Sequence, residues 1–327
     1  MKNTLLIYFI FFTINGFCFV KKIDNCTDLL SIDSGFNADI EITADIDCSG
    51  FVHNSPIAFS GFIEGNNHAI SNLLIEGKGS YVGLFSTLEG ASIKNLTIDN
   101  FNIILDSNSR TFYAGVLAGN ILSSQLNNVI IVNTDISYSN AVYAPRGLQG
   151  VGLLSGNLHK SYITNLKLYG SKITTSYGVE RIGGLSGVMS STLLQSVSIS
   201  GLLLDVRVGR SSNKAHIGGV IGYMLSDSNI NNLLLDGLEI NIAGADQVSS
   251  AGFLAGRLFS NTRISNVNIS PNNKYLFDNF YRKIDRLAFV VGFAQKGSRL
   301  ECVSFNADSM KNNLPLVYGD GYVDGCD

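Results

Sequence analysis

The sequence predicts an all-β fold, a right-handed parallel β-helix of about eight coils with disulfide-clipped ends. Two recurrences and one spacing predict it. Glycine pairs four residues apart recur as Gly115/Gly119, Gly152/Gly156, Gly183/Gly187, Gly218/Gly222 and Gly252/Gly256, at intervals of 31 to 37 residues. About eleven residues after each pair opens, an apolar couplet follows a fixed polar position. A period of this length is the mark of a repeat architecture, in which each unit buries its apolar face only by stacking on the next.

The downstream half is the more regular. Ile93-Lys-Asn95-Leu96-Thr-Ile98 is matched by Leu126-Asn-Asn128-Val129-Ile-Ile131, and the same frame holds Asn72, Asn165, Asn232 and Asn266, with Ser196 and Cys302 as substitutes. Leu96 and Ile98 alternate with period two, as a half-buried strand requires. Ile93 and Leu96 are three apart, so the chain turns a corner between two short strands. Asparagine suits that corner because it tolerates left-handed backbone geometry. Stacking such units predicts a ladder of amides, each donating to the next.

The glycines predict a tight, crowded corner in every coil, or a face where neighbouring segments pack closely. Glycine weakens a strand unless backbone approaches backbone or bends. Membrane-helix packing through Gly-x-x-x-Gly is excluded, since no apolar stretch of about twenty residues surrounds these pairs. Degenerate members extend the series as Gly61/Gly65, Gly83 and Gly292. Residues 101–105, 202–204 and 238–242 supply a third strand per coil. Eight coils at about 4.8 Å each make a rod of about 40 Å, and the favoured crossover hand is right.

Segments such as Gly83-Leu-Phe-Ser and Gly152-Leu-Leu-Ser resemble the GLUG-motif repeat family, and the lead-in through Phe59-Ser-Gly61-Phe-Ile-Glu-Gly65-Asn-Asn-His68 resembles the first coil before such repeats. The resemblance covers roughly residues 28–305. It implies a β-solenoid and a place among secreted or surface bacterial proteins, including haemagglutinin-like adhesins and non-catalytic parts of IgA-protease-like proteins. The motif specifies fold well and function poorly.

Charged residues make up 15% of the 327 residues, against about 25% in ordinary domains, which suits a solenoid with polar, uncharged walls. A net charge of −3 and the lack of a basic cluster give no nucleic-acid signal. Residues 1–18 read as a signal peptide: Lys2 precedes an apolar run over 5–12, and Gly16 and Cys18 occupy the small positions before a cut at Phe19. An uncleaved anchor is the alternative. The remaining chain divides into an N-terminal cap and first coil (19–60), the repeats (61–309) and a C-terminal cap (310–327). Four cysteines remain, Cys26, Cys48, Cys302 and Cys326, and three connectivities are open to them. The solenoid separates the ends, so Cys26–Cys48 and Cys302–Cys326 are expected.

The four histidines form no His-Glu-x-x-His motif. Asp99, Asp135, Asp236 and Glu239 are the carboxylates a polysaccharide lyase or glycoside hydrolase would draw on, yet they equally fit exposed turns. The segments before the glycine pairs carry tyrosine and arginine: Tyr138, Tyr143, Arg146, Tyr177 and Arg181. Rings stack on sugars and guanidinium forks bind carboxylates, so these residues point to a binding strip for a glycan or a host or matrix protein surface. No cofactor is expected, although the tail from Gly319 resembles half of an Asp-rich calcium loop. A leucine-rich-repeat horseshoe is a rival fold, which the glycine-rich half argues against. The expectation is an exported binding module without catalysis, with polysaccharide cleavage on the outer wall as the alternative.

Overall fold

Asparagine and glycine together decide the shape of each coil, because they mark where an extended chain must change direction or lie close to its neighbour. The structure is a computed structural model describing residues 20–32, 39–77, 79–106, 113–139, 149–176, 179–208, 215–244, 248–277, 285–305 and 314–324. Every strand pair in it is parallel. The coil that opens the regular stack runs Tyr81–Val82, Phe85–Glu89, Ser92–Asp99 and Asn102–Asp106. These four strands define faces 1 to 4, and equivalent strands of later coils extend them into sheets of six, nine, thirteen and eight strands.

Six coils carry all four faces, rather than about eight. The reason is length. A four-sided coil needs the 31 to 37 residues of the regular units, but only three residues separate Val52–His53 on face 4 from Ile57–Phe59 on face 2, which leaves no strand for face 1. Gly61 is not a member of the glycine-pair series, since Phe62 pairs with Ser92 and sets Gly61 at the start of face 3. We number the complete coils 1 to 6. After coil 6 the chain adds strands Val291–Ala294 to face 2 and Arg299–Phe305 to face 3, an incomplete coil 7.

Like residues stack on like. Ile93, Leu126, Ile163, Leu194, Ile230, Ile264 and Leu300 are successive partners on face 3, and all are buried. The interior is one continuous apolar column, with Phe59, Phe101 and Phe253 its largest fully enclosed side chains. This is the burial that no single coil achieves alone.

Seven corner residues of face 3, Asn95, Asn128, Asn165, Ser196, Asn232, Asn266 and Cys302, have φ between 51° and 61°. Asn72, expected in the same frame, lies instead under Asn100 at the turn from face 3 to face 4, because Ser71 pairs with Asp99. That region costs an L-residue with a Cβ roughly 1–2 kcal/mol, and asparagine less than most. Two further turns of each coil use the same geometry, at Asn100, Asn133, Gly170, Gly201 and Gly237 between faces 3 and 4, and at Ser123, Lys160 and Ser191 between faces 2 and 3. We expect Asn95→Ala to lower stability by about 1–2 kcal/mol and Asn95→Gly by less, since glycine keeps the backbone and loses only the amide. Urea unfolding of the two variants side by side checks this, and equal losses would refute the backbone explanation.

The amide ladder is interrupted rather than continuous. Asn128 donates to Asn95 (2.8 Å) and Asn95 to Glu64 (2.8 Å). Above them Asn165 donates instead to Asn127 (3.0 Å), Asn232 to Ser196 Oγ (3.3 Å) and Asn266 to Asn231 (2.8 Å). Ser196 accepts from Asn232 above but its short hydroxyl makes no hydrogen bond to Asn165 below, so the chain of amides breaks there. A second ladder lies inside, between faces 2 and 3. Ser124, Ser161 and Thr192 hydroxyls each donate to a carbonyl two residues back (2.8 Å in each case) and accept a backbone N–H from the coil below. These buried hydroxyls satisfy amides that the corner removes from the sheet.

At the N-terminal end a short helix, Cys26–Leu30, closes the column. Asn25 caps it, accepting from the Asp28 N–H at 2.9 Å, and Leu29 and Ile32 are buried over the first coil. A disulfide joins Cys26 to Cys48, with 5.3 Å between their Cα atoms. Cys302 is also disulfide-bonded; its expected partner Cys326 lies outside the described residues.

Candidate functional site

The glycine pairs sit where faces 1 and 2 meet, and there they let one coil's backbone lie on the next. The second glycine of each pair corrects the expectation of a corner. Gly156 is not a turn residue: it lies inside the face 2 strand Ser155–His159, and its φ is not left-handed. Gly119 lies likewise inside Ala118–Leu122. Space, not backbone freedom, is what requires glycine there. A methyl group on Gly156 would press on Ala114 N and lie 2.6 Å from Tyr113 Cβ. One on Gly119 would be 2.5 Å from Val82 N and 2.7 Å from Tyr81 Cα, again face 1 of the coil before. The first glycines Gly115 and Gly152 crowd the other way, against Ser155 and Ser186 of the coil after, while Gly218 and Gly252 meet the backbone N of Gly256 and Gly292. With no side chain between them, the two faces close to a seam, and the residues beside the glycines meet across it.

On face 2 the residue after the second glycine of each unit forms one row: Asn120, Asn157, Val188, Tyr223, Arg257 and Phe293 are successive partners. On face 1 the opposing row runs Tyr81, Tyr113, Gly150 and, higher, Arg181, His216, Ser250. Arg286 follows in that direction, next to Leu287, which bridges Ala251.

The rows meet at the upper coils, while the lower tyrosines stack within their own row. Tyr81 and Tyr113 stack with centroids 5.9 Å apart and planes 7° from parallel. The Tyr113 hydroxyl donates to Gln149 Oε1 (3.1 Å), and partial burial raises its pKa. Arg181 lies 3.3 Å from Glu180 and 4.8 Å over the Tyr223 ring. His216, buried, has Nδ1 2.6 Å from Ser250 Oγ and Nε2 2.8 Å from the Tyr223 hydroxyl. Arg257 lies against three rings, 4.5 Å from the centroid of Phe259, 5.2 Å from Phe293 and 5.8 Å from Tyr223. Arg286 lies 4.0 Å over Phe293.

Of the five residues expected to bind, Arg181 falls in this seam. Tyr138 does not: it alternates with Ile136 on face 4 and points inward, 4% exposed, so its ring belongs to the core. Tyr143, Arg146 and Tyr177 lie outside the described residues, in connections leading from face 4 to face 1. The rows through Tyr223, Arg257 and Phe293 escaped the sequence reading, although Gly222-Tyr, Gly256-Arg and Gly292-Phe place them at one position of the repeat.

The candidate carboxylates are dispersed. Asp99 accepts from Asn133 (3.1 Å) and Glu239 from Asn241 (3.1 Å). Asp135 pairs in register with Asn102 and Lys172. Hydrogen bonds from Ser270 and then Asn272 hold the Asp236 carboxyl below its ordinary pKa. His53 is buried with Nε2 3.1 Å from the Leu84 carbonyl, and desolvation depresses its pKa; burial and then Lys160 do the same to His159. His68 faces Asp45 at 3.1 Å. Among the described residues no three His, Cys, Asp or Glu side chains gather to hold a metal ion, and no helix is long and apolar enough to cross a membrane. A groove of about 500 Å³ runs along the face 3 corner, lined by Asn165, Ser196, Asn232 and Asn266 together with Lys167 and the exposed Leu234.

No protein-family profile matches the chain. It is 35% identical over 103 residues to halomucin of Haloquadratum walsbyi (strain DSM 16790 / HBSQ001), a match spanning 25% of this chain and 1% of that protein. Among solved structures it is similar to one described as a "putative immunoglobulin A1 protease" from Bacteroides ovatus, with 16% identity and a TM-score of 0.46 over 93% of this chain and 83% of that one.

Proposed function

We propose that this chain is an exported, GLUG-like β-solenoid that binds a glycan along the seam between faces 1 and 2. The observation that carries the reading is the pair of opposed rows, which gathers tyrosine, phenylalanine and arginine from coils 1, 2 and 4 to 7 onto one line. Rings so placed offer flat apolar faces to sugar rings. Successive rungs rise by about 4.8 Å, comparable with the rise of one sugar unit in an extended chain, so a linear polymer matches the row better than a compact ligand does. The Cys26–Cys48 disulfide supports export, because such bonds persist in oxidising surroundings. The signal-like start and the partial similarity to halomucin support the same placement.

Affinity electrophoresis through gels containing single polysaccharides tests the reading. At least one polymer is expected to retard the protein, and Tyr81→Ala/Tyr113→Ala is expected to weaken that binding roughly tenfold, by loss of two stacking rings. Far-UV dichroism checks that the variant retains its sheet. Migration unaffected by every polymer tried would overturn the proposal.

A further inference from the structure

The upper end of the seam differs chemically from the rest. Several cations are answered by carboxylates: Arg181 by Glu180, Arg263 by Glu301 and Lys22 by Glu41. Arg257 and Arg286 are not, among the described residues. Arg257 is held by aromatic faces alone, and its Nε is buried without a hydrogen-bond partner. Leaving such a buried donor unanswered is unfavourable. Arg286 covers the same Phe293 ring that Arg257 approaches, so two guanidinium groups converge on one ring. The acidic groups facing this end are few: Glu180 is engaged with Arg181, and Asp285, exposed, adjoins Arg286 in the chain.

We infer that the Arg257–Phe293–Arg286 corner of coils 6 and 7 is a subsite for an acidic sugar, taking the carboxylate of a uronic acid or a sulfate ester. The inference rests on the glycan reading above and names the class of glycan. The rings partly desolvate the Arg257 guanidinium, which strengthens its attraction for an oxyanion. Its planar fork matches a carboxylate or sulfate with two parallel hydrogen bonds, which a lysine would not. An incoming oxyanion would take its hydrogen bonds from the terminal Nη groups of the fork. Phe293 then offers its ring to the sugar that carries the charge.

The full chain is to be titrated calorimetrically with oligogalacturonate, dextran sulfate, neutral dextran and poly-glutamate. The inference expects an anionic polysaccharide to bind at least tenfold more tightly than dextran, with affinity falling as salt rises. The stronger of the two anionic polymers identifies carboxylate or sulfate as the natural group. Arg257→Lys is expected to lower that affinity about tenfold while retaining charge, and Arg286→Gln, which leaves Arg257 and its three rings in place, provides a second measure. Unchanged affinity in both folded variants, or dextran binding as well as the anionic polymers, would overturn the inference and leave the glycan reading standing. Poly-glutamate binding as tightly as the polysaccharides would overturn it in favour of an acidic protein partner. Absence of binding to every polymer would remove both.

Discussion

Gly187→Ala is expected to cost at least about 3 kcal/mol and to leave little folded protein at growth temperature. The added methyl would lie 2.5 Å from Val151 N, 2.6 Å from Gly150 Cα and 2.8 Å from Gly150 C, all backbone of the coil before. A flexible side chain could swing aside, but backbone locked in two parallel sheets cannot. Overpacking of an ordinary core costs about 1–3 kcal/mol because neighbours relax; here relaxation means separating coils 3 and 4. Gly90→Ala is the control. Its φ of +66° is strained for alanine, yet nothing lies within 4 Å of the added atom. That variant is expected to lose only about 1 kcal/mol. Urea unfolding of the two separates crowding from backbone strain, and a Gly187→Ala protein no weaker than Gly90→Ala would refute the close-approach account of the repeat.

Cys26→Ser/Cys48→Ser is expected to destabilise the N-terminal end by about 3 kcal/mol, from the loop entropy that a bridge across 22 residues withholds from the unfolded chain. The loss should be local at first. A coil stack behaves nearly one-dimensionally, each unit held by its neighbours. Freed of the bridge, the Cys26–Leu30 helix would hold its cap through Leu29 and Ile32 alone. Hydrogen exchange is expected to accelerate over residues 20–60 while coils 3 to 5 remain protected. Equal protection at both ends with and without the bridge would show that it does not serve as a cap.

The fold was legible because its determinants are local and repeated. A left-handed corner favours asparagine at one fixed position, and the alternation of Leu96 with Ile98 declares which side is inside. The number of complete coils was less legible, because Gly61 and Gly65 imitate the pair spacing while lying at face 3, where Phe62 pairs with Ser92. The place of Gly156 was half legible: its recurrence signals crowding, but a glycine inside a strand and one at a turn look alike in sequence. The amide ladder failed because whether Asn165 donates to Asn128 or Asn127 depends on geometry one coil away. Tyr138 was misread from its neighbourhood of polar residues, when its spacing from Ile136 already assigned it to the core. The seam was hidden because its members lie about 35 residues apart and share no residue type. What unites Tyr223, Arg257 and Phe293 is position after a glycine, visible once the coils are superposed on one another.

The uniformly parallel pairing also sets how the molecule answers a pull. Hydrogen bonds between coils run along the rod, so tension applied end to end loads them one rung at a time instead of sharing the load across a sheet. The terminal coil would peel away before the next one bears force. A coil such as that from Gly152 to Gly183 holds 31 residues, about 100 Å of extended chain, stored in a rise of about 4.8 Å. Under traction the rod is therefore a spool, releasing slack in coil-sized lengths, and the Cys26–Cys48 bridge is the knot that delays the first turn.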